Sequence, residues 1–335
     1  MKKALFYEKL ERGLVRCELC PHYCLIADND HGICNVRINH NGNLYSELFE
    51  KVSSIGLDPI EKKPLYHYYP GSKILSFGTL GCNLKCPFCQ NYRISQFTPE
   101  EYKHTTLYTI EDLVKIAREA KDNIGIAFTY NEPVTFYEYM LQVAAYAKEF
   151  DLKTVMVTNG FINRQPLEDL IPVIDAFNVD LKAFSEGFYK NITQSRLVPV
   201  KKTIKSISES GKHLEITNLV IPGLNDQTNE FEDMVKWIAR ETGDRTVLHI
   251  SRYYPAFQMK RELTPFNTLV GLYEIAKRHL KYVYLGNVID KTHETTYCDQ
   301  CNEELIVREA LKTTLVGLDS YGNCLHCRNH VIDYI

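Results

Sequence analysis

No stretch of this 335-residue chain approaches the roughly 18–20 consecutive apolar residues of a membrane span. The opening MKKALFYEKLERG has lysines but no continuous apolar core, so no signal peptide is expected and the chain reads as cytoplasmic. Charge of one sign is also lacking. With 24% charged residues and a net charge of −3, there is no electrostatic case for nucleic acid or an anionic membrane as partner. Low-complexity segments and helical repeats are absent too. At 44% hydrophobic, the chain suffices for one large core plus small appendages.

Cysteine is what the chain has in quantity. There are 11, an odd number that argues against a closed disulfide framework, and cytosolic thiols stay reduced. They fall into three groups: Cys17, Cys20, Cys24 and Cys34; Cys82, Cys86 and Cys89; and Cys298, Cys301, Cys324 and Cys327. Clustered reduced thiols at this spacing are metal ligands far more often than packing residues.

Between the outer groups, apolar β-branched runs alternate with amphipathic ones. Strands are expected at Ile74–Leu80, Ile124–Tyr130, Thr154–Asn159, Ala176–Lys182, Leu214–Ile221 and Val247–Tyr253. Each is followed by a helical pattern, at Ile110–Ala120, Thr135–Phe150, Gln165–Ile174, Val198–Ser210, Asn229–Glu241 and Phe266–Leu280, and a further strand is expected at Tyr282–Leu285. Thr109 with Asp112 resembles a capping box, and Pro166 and Pro265 suit helix first turns. Six βα units imply a parallel sheet with right-handed crossovers. They fall short of the eight of a closed barrel, so the expected fold class is α/β, a partial (β/α)6 barrel. The expected division is a cysteine-rich extension over 1–70, the partial barrel over 71–290 and a four-cysteine module over 291–335, with polar Lys291–Thr296 as linker.

The middle group reads Gly81-Cys82-Asn83-Leu84-Lys85-Cys86-Pro87-Phe88-Cys89, a C-x3-C-x2-C spacing directly after the first strand. Three thiolates complete neither a tetrahedral zinc site nor an ordinary four-thiolate cluster. They suit three irons of a [4Fe–4S] cube whose fourth iron stays open to a chelating ligand such as the amino and carboxylate groups of S-adenosylmethionine (SAM). A zinc knuckle borrowing a fourth ligand, or a redox thiol set, is the plainer reading.

C-x3-C-x2-C after the first of six βα units resembles the radical SAM superfamily. Further polar segments at successive strand ends carry the likeness: Tyr130-Asn131-Glu132-Pro133 in the place of the family's Gly-Gly-Glu-Pro, then Val157-Thr158-Asn159-Gly160, Val179-Asp180-Leu181-Lys182 and Val220-Ile221-Pro222-Gly223. The last two are similar to the Asp-x-Lys and Val-Pro-Gly of glycyl-radical-enzyme activases such as the pyruvate formate-lyase activating enzymes. The resemblance implies an enzyme of iron-dependent oxidoreductase chemistry. Cys82, Cys86 and Cys89 would ligate the cluster, and Phe88, Asn131, Glu132, Asn159, Asp180, Lys182 and Ile221 would bind SAM. A 5′-deoxyadenosyl radical would then abstract hydrogen from an unidentified small molecule or protein. The activases' sixth-strand histidine has no aligned counterpart, and His249 reads as a core or surface residue.

Cys17-Glu18-Leu19-Cys20-Pro21-His22-Tyr23-Cys24, Gly32-Ile33-Cys34-Asn35-Val36-Arg37 and Asp58-Pro59-Ile60-Glu61-Lys62-Lys63-Pro64-Leu65-Tyr66-His67 resemble the activase-like branch called the AmmeMemoRadiSam system radical SAM enzyme. That likeness implies a Memo-like protein as partner, beside an electron donor such as flavodoxin or ferredoxin.

In the tail, Cys298-x2-Cys301 and Cys324-x2-Cys327 stand 22 residues apart, the pattern of a tetrahedral four-thiolate site. Zinc, in a ribbon with strands at Glu304–Arg308 and Thr313–Leu318, is the first choice; rubredoxin-like iron is the alternative, and His326 reads as a surface residue. At the amino end, zinc stands slightly ahead of an auxiliary cluster, with His22 a substitute ligand. Asp58–His67 reads as an ordered loop, or as one bringing Glu61, Lys62 or His67 to the substrate. The competing functional class is a zinc-ribbon protein acting on RNA, disfavoured because residues 298–335 lack a basic run interleaved with aromatics. A structural zinc protein without catalysis is disfavoured by the lone set of three cysteines.

Overall fold

The computed structural model describes residues 1–309 and 312–335. Its centre is an eight-stranded sheet whose spatial order follows the chain: Ser54–Pro59, Lys73–Gly78, Asn123–Phe128, Lys153–Thr158, Ala176–Asp180, His213–Val220, Val247–Arg252 and Val283–Gly286. The first pair is antiparallel and all later pairs are parallel. The six expected crossover helices are present: Ile110–Glu119, Tyr137–Lys148, Arg164–Leu170, Leu197–Glu209, Thr228–Thr242 and Phe266–Lys277. The Thr109–Asp112 capping box forms in both directions, at 3.1 and 3.0 Å. Sequential order with right-handed crossovers puts successive helices on one face of the sheet.

The strands end one or two residues sooner than expected. Thr79–Leu80, Thr129–Tyr130, Asn159 and Leu181–Lys182 leave the ladder to build the loops at its carboxyl edge. Ser54–Pro59 is a strand outside the six expected βα units, and its last two residues begin the segment Asp58–His67 that was expected to be a loop. Its Ile55 and Leu57 alternate with Ser54, Gly56 and Asp58, a run of only two apolar residues, both exposed, and it is held by pairing to Lys73–Gly78.

The parallel strands are buried on both faces, but one face is polar. Asn178 pairs in register with Glu215, Thr217 with His249, and His249 with Tyr284. With Ser251 they form a buried polar row, whose hydrogen bonds run partly along the row, Thr217 Oγ1 donating to Asn178 at 2.9 Å, and partly to the Pro64–His67 segment, Asn178 donating to the Pro64 carbonyl at 2.7 Å. Glu215 accepts from the Tyr66 and His67 amides at 2.9 and 2.7 Å and bonds His213 and His249 at 2.9 and 2.6 Å.

Residues 1–53 add two small three-stranded antiparallel sheets. They are tied to the helix Tyr137–Lys148 by a fully buried ion pair, Arg37 Nη2 to Glu138 Oε1 at 3.0 Å. The tail forms a third small sheet from Thr296–Tyr297, Glu304–Glu309 and Lys312–Leu315. The expected linker is not a free connection. Lys291–Glu294 is a helical turn, and Thr295 and Thr296 are buried, because Arg308 reaches across to donate to the Glu294 carbonyl, Thr296 Oγ1 and the Tyr66 carbonyl at 2.8–2.9 Å.

Candidate active site and metal centres

The loop after Lys73–Gly78 is shaped by close backbone approach. A Cβ on Gly78 would lie 2.5 Å from the Thr129 carbonyl oxygen. Gly81 has φ +83°, and a Cβ there would lie 2.6 Å from the Cys34 carbonyl oxygen. Only glycine suits such a position. Asn131 braces the turn from the neighbouring strand end. Its Oδ1 accepts from the Thr79 amide at 2.8 Å, and its Nδ2 donates to the Leu80 and Gly81 carbonyls at 2.9 Å each. Tyr130, where the resemblance expects glycine, has φ 69°. That strain is held by its hydroxyl donating to Asp58 at 2.6 Å and by Lys63 over its ring at 4.8 Å.

Cys82, Cys86 and Cys89 then line one cavity of about 520 Å³ at the carboxyl edge of the sheet. No fourth cysteine joins them among the described residues of its lining. Burial raises the Cys82 thiol well above its ordinary range and pushes Cys86 up to about 12. These thiols are therefore protonated unless a metal takes the place of the proton. Cys89 Sγ lies 3.0 Å from Ser95 Oγ on the short helix that follows.

Phe88, Asn131, Glu132, Asn159, Asp180 and Lys182 line the same cavity. Glu132 is pushed up to about 7 by burial, against donation from Asn159 N at 2.8 Å, Thr158 Oγ1 at 2.7 Å and Val134 N at 3.2 Å. Asn159 Nδ2 donates to Asn83 Oδ1 at 2.8 Å and stands 3.7 Å from Cys82 Sγ. Lys182 is an ammonium kept charged in a buried place. Burial opposes its charge, but Asp180 at 2.8 Å and the nearby Cys86 together raise it above its ordinary range. The donor set suits the group: three thiols, an incomplete ligand sphere, a buried carboxylate for an ammonium, and room of ligand size.

Ile221 does not reach this lining; it is fully buried, its amide donating to Asn225 Oδ1 at 2.6 Å. His249 is a core residue bonded to Glu215, and His326 is exposed. Within Asp58–His67, Lys62 lines the cavity, whereas His67 points away to Tyr284 Oη at 2.6 Å. Ser95, Thr217, Ser251 and Asn287 line or support the site unanticipated. The only sequence signal for Thr217, Ser251 and Asn287 was lying in or just after the later strands, and for Ser95 lying on the short helix after the three cysteines.

In the tail, Cys298, Cys301, Cys324 and Cys327 bring all four sulfurs within 4.8 Å of one another. Cys298 and Cys327 are 3.5 Å apart, Cys301 and Cys324 3.7 Å. A single ion at about 2.3 Å from each sulfur sets tetrahedral neighbours about 3.8 Å apart, so this site is sized for one metal.

An α/β fold with a mostly parallel sheet and a three-thiol cavity at its carboxyl edge defines a cluster-bearing enzyme class. Residues 77–238 match the Radical SAM superfamily. An uncharacterized protein of Methanocaldococcus jannaschii is 39% identical over 321 residues, covering 95% of each chain. The pyruvate formate-lyase-activating enzyme of Streptococcus mutans is 22% identical over 214 residues, 60% of this chain and 73% of that one. Among solved structures, Streptococcus suis SuiB bound to S-adenosylmethionine shares the fold with a TM-score of 0.51 at 19% identity, over 68% of this chain and 55% of that one. The chain belongs to the radical SAM superfamily and has activating-enzyme relatives. Membership implies a [4Fe–4S] cluster, SAM and a reductant. No helix among the described residues is long and apolar enough to cross a membrane.

Proposed function

We propose that this enzyme cleaves SAM reductively and uses the resulting 5′-deoxyadenosyl radical to abstract hydrogen from a small molecule. The observation that carries this reading is a cavity lined by three thiols without a fourth, with Glu132 buried on its wall. Cys82, Cys86 and Cys89 would ligate the cluster, which supplies the electron for C–S cleavage. Glu132, positioned by Thr158 and Asn159, would hold the SAM ammonium. Asn131 keeps the cluster loop in shape, Asp180 and Lys182 would take the polar groups of SAM, and Phe88 would pack beside it. Ile221 would act from behind the wall, through the backbone turn near the adenine.

The preference for a small molecule over a protein glycine rests on a second cavity of about 290 Å³, which shares Lys62, Pro64, Ser251 and Asn287 with the first. It adds His249, Glu294 and Arg308, so the substrate's surroundings would be polar and partly contributed by the tail. The tail site is proposed to hold zinc in a module over 291–335, beside a partial barrel over 71–290 and an extension over 1–70. Membership in the AmmeMemoRadiSam branch, a Memo-like partner, flavodoxin or ferredoxin as donor and a cytoplasmic location complete the reading. An RNA-binding role for the tail has no supporting observation.

The test is anaerobic reconstitution, dithionite reduction and detection of 5′-deoxyadenosine from SAM. Formation by the wild type and its loss in Cys82→Ala is expected. No product from a fully loaded wild-type cluster would count against the assignment.

A further inference from the structure

Cys17, Cys20, Cys24 and Cys34 line one apolar cavity, which Asn83 joins from the cluster loop. The charge that the described residues leave unanswered lies at the other end of the chain. Arg37, Lys63 and Arg308 are the buried arginines and lysines among the described residues. Arg37 has Glu138 at 3.0 Å and Lys63 has Asp58 at 2.8 Å. Arg308, on the tail strand Glu304–Glu309, is 3% exposed and forms no ion pair with any described residue; its bonds run to neutral oxygens. Nη1 donates to the Glu294 carbonyl and to Thr296 Oγ1 at 2.9 Å each, and Nη2 to the Tyr66 carbonyl at 2.8 Å. That leaves Nε, which has no partner among the described residues, and one hydrogen of Nη2. Donors on neighbouring nitrogens of one fork suit the two oxygens of a carboxylate. The fork is held in place: its centre lies 4.0 Å over the Tyr66 ring and 5.5 Å from that of Tyr284. A buried cation without its anion is costly, and an arriving anion removes the cost.

We propose that Arg308 binds the carboxylate of the substrate, a small carboxylic acid whose carbon skeleton runs from the second cavity into the Cys82–Cys86–Cys89 cavity. This rests on the function proposed above, in which the second cavity holds the substrate. Arg308 lines that cavity, of about 290 Å³. Because the two cavities share Lys62, Pro64, Ser251 and Asn287, a molecule anchored at Arg308 passes these residues on its way to the thiols. The rest of the wall favours a single negative charge. Glu61 and Glu294 also line it. Glu61 is engaged by the Gly71 amide at 2.8 Å and Thr313 Oγ1 at 2.7 Å, and burial pushes Glu294 up to about 7. His249 is taken by Glu215 at 2.6 Å, and Lys62 is half-exposed and 3.7 Å from Asp58. Two acids beside one unpaired guanidinium oppose the charge of about −2 on a phosphomonoester more than that of a carboxylate.

The test is calorimetric titration of the reconstituted wild-type protein with acetate, butyrate and benzoate, each against its amide, and with inorganic phosphate. At least one carboxylate is expected to bind about 10- to 100-fold more tightly than its amide, as hydrogen bonds to a charged group allow, and more tightly than phosphate. Arg308→Gln is expected to abolish the preference, and Arg308→Lys to keep part of it, since it retains the charge without the fork. Crystals of the wild type soaked with 4-bromobenzoate cover misfolding of the variants; bromine is expected in the cavity beside Arg308. Carboxylates bound no better than their amides, phosphate bound more tightly than every carboxylate, a preference retained by folded Arg308→Gln, or bromine located only elsewhere would each overturn the inference. None of these measurements uses SAM cleavage. A carboxylate preference without 5′-deoxyadenosine would therefore sink the proposed function and leave the anion site, whereas 5′-deoxyadenosine without the preference would sink this inference alone.

Discussion

Glu132 is a carboxylate where a carboxylate is costly, and three donors only partly offset its burial. A cationic partner would restore the balance. If that partner is the SAM ammonium, only the ionised form binds it well. Because the carboxyl is pushed up to about 7, SAM affinity should fall as pH drops through 7, approaching about tenfold per unit. Glu132→Gln keeps the shape and removes the charge. It is expected to weaken SAM binding by roughly 1.5–3 kcal/mol at pH 8, the worth of a charge-assisted hydrogen bond, and to flatten the pH dependence. Calorimetric titration across pH 6–8 checks both, and an unchanged slope in the variant would remove Glu132 from the SAM site. Tyr130 makes a related point. A non-glycine residue at φ 69° survives there because Asp58 and Lys63 hold its ring.

At the scale of elements, the sheet's polar row behaves as one unit. Glu215 lies well below its ordinary range; burial pushes it up, but the bonds and charges of His213 and His249 prevail. His67 is lowered to about 3 by burial. Both groups bind fewer protons folded than unfolded, so both lose stability as pH falls. For His67 the loss begins near 6.5 and runs to about 3; for Glu215 it begins near 4.5. Thermal melts should therefore fall progressively below pH 6.5, with each group contributing up to about 1.4 kcal/mol per pH unit. His67→Gln should flatten the upper part of that decline, between pH 6.5 and 4.5. A decline of unchanged steepness would show that other groups govern it. Glu215→Gln is expected to cost about 3–5 kcal/mol at neutral pH, as breaking a buried ionic network does.

For the whole molecule, the tail is bound to the sheet as well as carrying a four-sulfur site of metal-binding geometry. Leu305, Ile306, Val331 and Ile332 pack with Tyr66 and Tyr284, and Arg308 stacks 4.0 Å over the Tyr66 ring. Small metal modules draw their folding energy from the ion. Cys324→Ser should release about one metal per chain, leave the iron of the Cys82 site in place and expose the tail to proteolysis after residue 295. Because Arg308 lines the second cavity, the loosened tail should also reduce turnover of substrate more than abortive SAM cleavage. Metal analysis with limited proteolysis tests the first part, and a tail that stays resistant without its metal would refute it.

The alternation of apolar and amphipathic runs was legible because each crossover helix and strand meets its neighbours with one repeating pattern, and the cysteine grouping was legible because ligand spacing is local. Those two features determined the parallel sheet, the three thiol groups and the segments at the strand ends. The antiparallel strand Ser54–Pro59 carried only the two-residue alternation of Ile55 and Leu57, too short to mark it, and its hydrogen bonds come from a partner already in place. Nor could spacing show that the four tail sulfurs converge within 4.8 Å of one another; that depends on how turns distant in the chain meet. Only the tertiary structure brought Asn83 between two thiol sites, turned His67 away from the cavity and carried Arg308 from the tail to its wall. Each joins residues far apart in the chain, where local periodicity carries no information.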